Sequence, residues 1–380
     1  MDLRYTAEED AFRAEARAWL EANVPGAPLP SFDTEAGFAR HREWERTLWE
    51  GRWSAVSWPE EYGGRGADYI HWLIFEEEYY RAGAPQRVTQ NGIFLLAPTI
   101  FEFGTDEQRD RILPKMASGE ETWCQGWSEP NAGSDPGAMQ TFARRDGDDW
   151  VIDGAKRWIG LASIADVAVI WAQTDEGVRG FLVEASAPGF TATPIEPKLS
   201  MRASIQCDIS LEDVRLPESA MLPKAKGLRG PFECLNEARY GIIWGAMGAA
   251  RDSYEAALNY SKERLQFGKP LSGYQLTQQK LVNMALEINK GMLLALQVGR
   301  LKDAGTLEPY QISVGKLNNC REAIQICRDA RAMLGGNGIT LEYPVIRHAN
   351  NLESVLTYEG THEVHTLVVG QALTGENAFR

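Results

Sequence analysis

The stretch Tyr358-Glu359-Gly360-Thr361-His362-Glu363 lies near the end of the last long helical segment, directly after Asn350-Asn351-Leu352-Glu353-Ser354-Val355-Leu356-Thr357. One carboxylate is followed at once by a glycine and a hydroxyl residue. Glycine lets a ligand or another chain approach the backbone closely, and threonine adds a short hydrogen-bonding arm. By itself the string reads equally as a solvated helix end, since most glutamates lie at the surface. Three more strings accompany it, in this order: Ser128-Glu129-Pro130-Asn131-Ala132-Gly133-Ser134-Asp135, Arg264-Leu265-Gln266-Phe267-Gly268 and Leu334-Gly335-Gly336-Asn337-Gly338. The set of four decides how the rest of the chain is read.

A length of 380 residues is ample for a large core and two or three domains. Hydrophobic content of 44% with 24% charged residues is ordinary for a globular protein, so general disorder is not expected. The formal charge of -14 argues against nucleic acid or an anionic membrane as partner. It leaves room for an anionic ligand, because local Arg and Lys can hold a phosphate against the net field. No apolar run approaches the roughly 20 residues of a membrane helix. The acidic start, Met1-Asp2-Leu3-Arg4-Tyr5-Thr6-Ala7-Glu8-Glu9, reads as neither a secretory signal nor a transit peptide. Five cysteines without a CxxC fit reduced thiols, and the expectation is a cytoplasmic protein.

Residues 1 to about 120 carry a helical period. Thr6 with Glu9 makes a capping box, and Phe12, Ala16, Trp19 and Leu20 recur at helical spacing until Pro25-Gly26. A second helix carries Trp44, Leu48 and Trp49, and a third begins at Asp68 and ends near Gly83-Ala84-Pro85. Between them, Ser57-Trp58-Pro59-Glu60-Glu61-Tyr62-Gly63-Gly64-Arg65-Gly66 lacks the Lys-Ser/Thr of a P-loop and reads as a connecting turn. From about Thr122 to Pro217 the period shortens. Arg145-Asp146-Gly147-Asp148 marks a hairpin, and Val167–Trp171, Gly180–Val183, Phe190–Thr193 and Cys207–Leu211 follow as short strands. That spacing suggests an antiparallel barrel or sandwich, and no GxGxxG follows a strand, which disfavours a Rossmann site. From about Gly230 the helical period returns in long segments, including Tyr274 to Leu301, Glu308 to Leu334 and Tyr343 to Gly370, as in an antiparallel four-helix bundle.

Together the four strings resemble the acyl-CoA dehydrogenase family, and the order of helices, β domain and helices resembles its fold. The resemblance implies an N-terminal all-α domain (1–120), a middle antiparallel β-barrel domain (121–229) and a C-terminal four-helix bundle (230–380). It implies FAD as cofactor and an acyl-CoA thioester as substrate. Removing hydrogen from such a thioester takes a base for the α proton and a cofactor for the hydride, because no side chain accepts hydride. By match to the family string, Glu359 is that base, with its pKa raised by a dry pocket.

The other roles come by the same match. Trp127 and Ser128 would bond the flavin, and Trp158, Ile159 and Gly160 would lie at its ring edge, with Gly360, Thr361 and Glu363 nearby. Arg264, Gln266, Phe267, Gly335 and Gly336 would hold the FAD pyrophosphate and adenosine of a neighbouring subunit. Ser134, Asn236 and Arg239 would meet the CoA moiety, and Tyr358 would line the acyl pocket. A homotetramer or homodimer with FAD at the subunit interface is implied, as is an electron-transfer flavoprotein as partner. Plainer readings stand beside these: a turn at Pro130–Gly133, barrel core for Trp158, a helix C-cap at Gly335-Gly336 and a surface charge at Arg239. His362 and His365 do not form HExxH, so no metal is expected.

From about Val151 onward the chain is most similar to glutaryl-CoA dehydrogenase, in Leu199-Ser200-Met201-Arg202-Ala203-Ser204, Gly230-Pro231-Phe232-Glu233-Cys234-Leu235-Asn236 and Val345-Ile346-Arg347-His348-Ala349. The first part resembles generic bacterial acyl-CoA dehydrogenases. Where glutaryl-CoA dehydrogenases hold the far carboxylate with an arginine, this chain has Gln86 with Arg87 beside it, and Tyr79 stands for the arginine's acidic partner. Gly160 replaces a hydroxyl residue, and Lys156-Arg157-Trp158-Ile159-Gly160 resembles plant short-chain acyl-CoA oxidases. The expected reaction is desaturation of a short-chain or branched acyl-CoA to the trans-2-enoyl-CoA. Glutaryl-CoA dehydrogenation, direct oxidation by oxygen and a catalytically silent binding protein on the same scaffold are the alternatives.

Overall fold

Thr6 accepts from Glu9 N at 3.1 Å while the Glu9 carboxylate caps Thr6 N, so the chain enters α1 (Ala7–Asn23) through a closed capping box. Thr34 and Asp68 cap α2 (Glu35–Glu50) and α3 (Tyr69–Arg81) with the same chemistry. The computed structural model describes residues 5–379, apart from the side chains of Glu233, Asn236 and Glu237. It divides into two units, one of residues 1–197 and 203–237, the other of 198–202 and 238–380.

In the first unit α1, α2 and α3 join through aromatic residues: Trp53 is buried and stacks on Phe75 with ring centroids 5.1 Å apart. Arg65 lies over the Trp53 ring at 4.0 Å. A π-helical stretch, Asn91–Leu96, leads into α4 (Ala97–Phe103), and α5 (Asp106–Ser118) follows. The glycine-rich segment before α3 makes one 3₁₀ turn at Glu60–Tyr62, closed by Gly63 in a left-handed conformation.

The strands are β1 (Trp123–Gly126), β2 (Phe142–Asp146), β3 (Asp149–Gly160), β4 (Val167–Ala172), β5 (Arg179–Glu184), β6 (Phe190–Pro194) and β7 (Gln206–Pro217). They form a three-stranded sheet in the order β1-β4-β5 and a four-stranded sheet in the order β2-β3-β7-β6. The expected antiparallel pattern holds for every pair except β1 and β4, which run parallel with Trp123 opposite Val167. The reason is visible in the sequence. β1 is four residues, all buried, so it has no alternation to announce its pairing. Buried residues of both sheets, among them Cys124, Ile152, Ile170, Phe181, Cys207 and Val214, share one core.

The helix α6 (Arg229–Glu263) contains the boundary between units. In the second unit it is followed by the hairpin β8 (Leu265–Gln266) and β9 (Lys269–Pro270), then α7 (Gln275–Asp303), α8 (Pro309–Met333), α9 (Val345–Thr357) and α10 (His362–Thr374). A shared core takes Met247 and Ala250 from α6, Met284 and Ile288 from α7, Cys320, Ala323 and Cys327 from α8, and Leu352 and Val355 from α9. The segment expected as one helix from Tyr343 to Gly370 is two. The break falls at Tyr358–Thr361, where Glu359 has φ 53 and Gly360 φ 94. All five cysteines are buried, and no disulfide forms among the described residues. Among the described residues no helix is long and apolar enough to cross a membrane.

Removing the aromatic centre of the first unit tests this account of its packing. Trp53→Ala is expected to lower stability by about 3–5 kcal/mol, read as a fall in the chemical-denaturation midpoint of that unit.

Candidate active site

Tyr358 ends α9 in an extended conformation, and Thr361 starts α10 by accepting from Val364 N at 3.3 Å. Between them Glu359 stands in the left-handed region that a non-glycine residue rarely occupies. Gly360 follows at φ 94, and a Cβ there would come within 2.7 Å of His365 Nε2, so both conformation and space require glycine. Such a backbone persists only where its surroundings hold it.

Here all three carbonyls of the segment are held. Arg239 Nε of α6 donates to Glu359 O at 2.8 Å. His365 Nε2 of α10 meets the same oxygen at 3.1 Å, while its Nδ1 meets Ser313 Oγ of α8 at 2.9 Å. A neutral imidazole with the proton on Nε2 fits both contacts. Burial, with the charges of Lys316 and Arg239, pushes the His365 pKa down to about 3, so the ring stays neutral. Lys316 Nζ of α8 donates to Tyr358 O and, at 2.6 Å, to Gly360 O.

The Glu359 carboxyl is buried and its Oε2 has no hydrogen-bond partner. Burial raises its pKa well above the usual carboxylate range, and the charges of Lys316 and Arg239 oppose the rise. A carboxyl in that state accepts a proton at neutral pH more readily than a surface glutamate does. Lys316 and His365 are the residues that the motif reading missed in these roles. Lys316 left a signal: it sits on the apolar side of α8 with Ile312 and Cys320 one turn away on either side. A lysine at helical spacing between apolar residues is a buried cation that must find partners.

Tyr358 is partly exposed, and its ring lies 5.8 Å from Lys316 Nζ. Arg239, expected at the CoA moiety, has its Nε on the Glu359 carbonyl. The Asn236 side chain lies outside the described residues. Glu363 is in the first turn of α10, where the helix N-terminus and the Thr361 hydroxyl hold its carboxyl below the ordinary range.

At the other end of α6, Arg264 N donates to Tyr260 O at 2.9 Å, and Tyr260 OH accepts from Asn337 Nδ2 at 3.1 Å. Tyr260 therefore ties the Arg264–Phe267 string to Gly335-Gly336. Phe267 occupies the tip of the β8–β9 hairpin, 96% exposed and left-handed. A Cβ on Gly335 or Gly336 would meet nothing within 4 Å, so the space above both is open. At 1.5 Å per residue, the length of α6 puts these residues roughly 36 Å from Arg239 along the helix.

In the first unit, Trp127 and Ser128 follow β1. Glu129 behind them is buried and accepts from Lys156 Nζ at 2.8 Å, Thr141 N at 2.9 Å and Gln140 N at 2.6 Å. Burial alone would raise its pKa, but these donors hold it below the ordinary value. Burial pulls Lys156 down to about 8, and its Nζ also donates to Trp127 O at 3.2 Å. Arg157 N donates to Ser128 O at 2.8 Å, which joins this string to the Trp158–Gly160 end of β3.

Trp158 is not core. It is 54% exposed with φ 66, on a register shift between Lys156 and Ile159, whereas Ile159 is buried. A large aromatic residue turned outward on a bulge is expensive and reads as a surface kept for a ligand. Asn91 Nδ2, from the π-helical stretch, donates to Gly160 O at 3.1 Å and would lie 2.9 Å from a Cβ at Gly160. Ser134 is exposed on the loop after Glu129.

Gln86 is exposed, and Arg87 beside it is buried. The acidic partner of Arg87 comes from α2: Glu45 Oε2 accepts from its Nη2 at 3.0 Å and its Nε at 3.1 Å. Tyr79 instead donates to Pro85 O and accepts from Trp44 Nε1 at 2.6 Å. Arg87 Nη1 is buried without a partner among the described residues. Glu76 on α3 feels the Arg87 charge, and burial pushes its carboxyl up to about 7.

Family models for the acyl-CoA dehydrogenase N-terminal, middle and C-terminal domains match residues 6–120, 124–214 and 225–374. The human mitochondrial short-chain specific acyl-CoA dehydrogenase is 36% identical over 323 residues, covering 83% of this chain and 78% of that protein. A crystal structure of glutaryl-CoA dehydrogenase from Mycobacterium smegmatis superposes with TM-score 0.87 at 48% identity, over 99% of this chain and 97% of the other. A second structure from that organism, of a glutaryl-CoA dehydrogenase in complex with FADH2, gives TM-score 0.87 at 45% identity with the same coverage. With all three domain models matched in order along the chain, the protein belongs to the acyl-CoA dehydrogenase family of CH-CH oxidoreductases.

Proposed function

We propose that this protein is an FAD-dependent dehydrogenase that converts a short-chain or branched acyl-CoA to the trans-2-enoyl-CoA, with Glu359 taking the α proton. The observation that carries the reading is the buried Glu359 carboxyl, whose Oε2 is unpartnered and whose pKa burial raises. A base for a weakly acidic C–H must combine proton affinity near neutral pH with a free lone pair. Glu359 meets both conditions.

FAD, when bound, supplies the acceptor for the β hydrogen and its electron pair. The residues present suit a flavin. Trp158 offers an outward aromatic face, Gly160 leaves the β3 end without a side chain, and Gly335-Gly336 have open space where side chains would stand. Trp127, Ser128, Trp158, Ile159, Gly160, Thr361 and Glu363 would hold its ring part. Arg264, Gln266, Phe267, Gly335 and Gly336 would hold its phosphate and adenosine part. The roughly 36 Å of α6 between that second group and Arg239 supports a division of labour between copies of the chain. So do the exposed Phe267, Leu265, Ile339 and Leu341, which favour a homotetramer or homodimer. Ser134, Asn236, Tyr358 and Gly360 would meet the acyl-CoA, with an electron-transfer flavoprotein taking the electrons onward.

The Arg87 pairing bears on substrate choice. Its charge is already matched by Glu45, which favours an uncharged acyl end near Gln86 and Arg87. The free, buried Arg87 Nη1 favours the second reading, in which a dicarboxylic acyl chain such as glutaryl is held.

Two outcomes test this. Glu359→Gln is expected to keep bound FAD yet slow flavin reduction by substrate at least about 100-fold, measured by anaerobic stopped flow. Retained reduction would remove Glu359 from the role of base. In separate anaerobic samples, butyryl-CoA is expected to bleach the flavin at least roughly tenfold faster than glutaryl-CoA, the difference that one unmatched charge interaction makes. Faster bleaching by glutaryl-CoA would move the assignment to the second reading.

A further inference from the structure

Lys316 lies on α8, is 2% exposed, and sends its ammonium to the two carbonyls that flank Glu359, those of Tyr358 and Gly360. The carbonyl of Glu359 itself is taken by Arg239 and His365. A Cα carries one peptide plane on each side, and fixing both planes fixes the direction of its Cβ. The plane before Glu359 carries the Tyr358 carbonyl, which Lys316 holds, and the plane after it carries the Glu359 carbonyl, which Arg239 and His365 hold. By also taking the Gly360 carbonyl, the one ammonium bridges the left-handed stretch from both ends and so sets the aim of the side chain within it. Arg239 and His365 act on the carbonyl of Glu359 itself, whereas Lys316 reaches across it to both neighbours.

The charges around the carboxyl narrow the case further. Groups facing this segment are Lys316 and Cys320 of α8, Arg239 of α6, His365 of α10 and Tyr358 on the segment itself. Burial pushes the Cys320 thiol up to about 11 and raises the Tyr358 phenol, so both stay neutral, as does His365. Positive charge next to Glu359 thus comes from Lys316 and Arg239.

We infer that Lys316 is a positioning residue for the reaction: it aims the Glu359 carboxyl through the two flanking carbonyls and places positive charge beside it. The inference rests on the reading of Glu359 as the base. The sign of the charge effect is fixed. A cation stabilises the ionised carboxylate, so losing Lys316 adds to the rise that burial already causes, and the carboxylate forms only at higher pH.

The experiment is an infrared titration of the Glu359 carboxyl band, identified as the band lost in Glu359→Gln, in holoenzyme carrying Lys316, Lys316→Met or Lys316→Arg. The Met variant is expected to titrate about one pH unit higher than wild type. Its flavin reduction at saturating butyryl-CoA should fall roughly tenfold or more while the acyl-CoA Kd stays within about threefold, because aim is lost and binding is not. Lys316→Arg should restore the titration by keeping the charge yet leave reduction slowed, since a guanidinium does not put one nitrogen on both carbonyls. It serves as the decisive variant if Lys316→Met does not fold. A Met variant with unmoved titration and unchanged reduction, or an Arg variant that reduces flavin at the wild-type rate, would overturn the inference. The band position reads the Lys316–Glu359 coupling without catalysis, so it stays interpretable if Glu359→Gln were found to retain flavin reduction.

Discussion

A buried carboxyl on left-handed backbone is held in place by donors from three helices, and the second unit is organised around that constraint. Left-handed conformation at a non-glycine residue costs roughly 1–2 kcal/mol, and a buried carboxyl without a full set of partners costs more. The donors Lys316, Arg239 and His365 offset the first cost by holding the carbonyls of Tyr358, Glu359 and Gly360, and the charges of Lys316 and Arg239 offset part of the second. The side chain is left free while its backbone is fixed. That is the arrangement a base needs: a fixed origin, an uncommitted oxygen and a proton affinity raised by dryness.

The first unit shows the same division between supported backbone and presented side chain. The Lys156–Glu129 pair is buried, and its partners are the backbone groups of Trp127, Gln140 and Thr141. A buried ion pair is weak evidence of stability, but one whose remaining valences all go to a loop fixes that loop's shape. On β3, the strand that also carries Lys156, the bulge at Trp158 turns a large aromatic residue outward, against its preference for burial. The chain thus bears local cost at Trp158 and at Glu359, the two places its family reading marks for cofactor and base.

Much of this was legible from residue order. The capping box at Thr6 and Glu9, the helix start at Asp68 and the hairpin at Gly147 are local chemistry, and each formed where it was read. The four diagnostic strings were legible only as a set, through resemblance. What escaped was non-local. β1 is short and wholly buried, so nothing in it announces a parallel partner. The break at Tyr358–Thr361 hides inside apolar helical spacing, because the donors that stabilise it come from α6, α8 and α10. The acid that pairs with Arg87 is 42 positions away, at Glu45, where no local pattern points to it.

The central claim is that Glu359 removes the α proton, and hydrogen exchange tests it without relying on oxidation. Holoenzyme with its flavin chemically reduced beforehand would be incubated with butyryl-CoA in D2O, and deuterium at the α carbon followed by mass spectrometry. The account predicts steady incorporation with the wild-type protein and loss of nearly all of it in Glu359→Gln. Equal incorporation by the two proteins would contradict it.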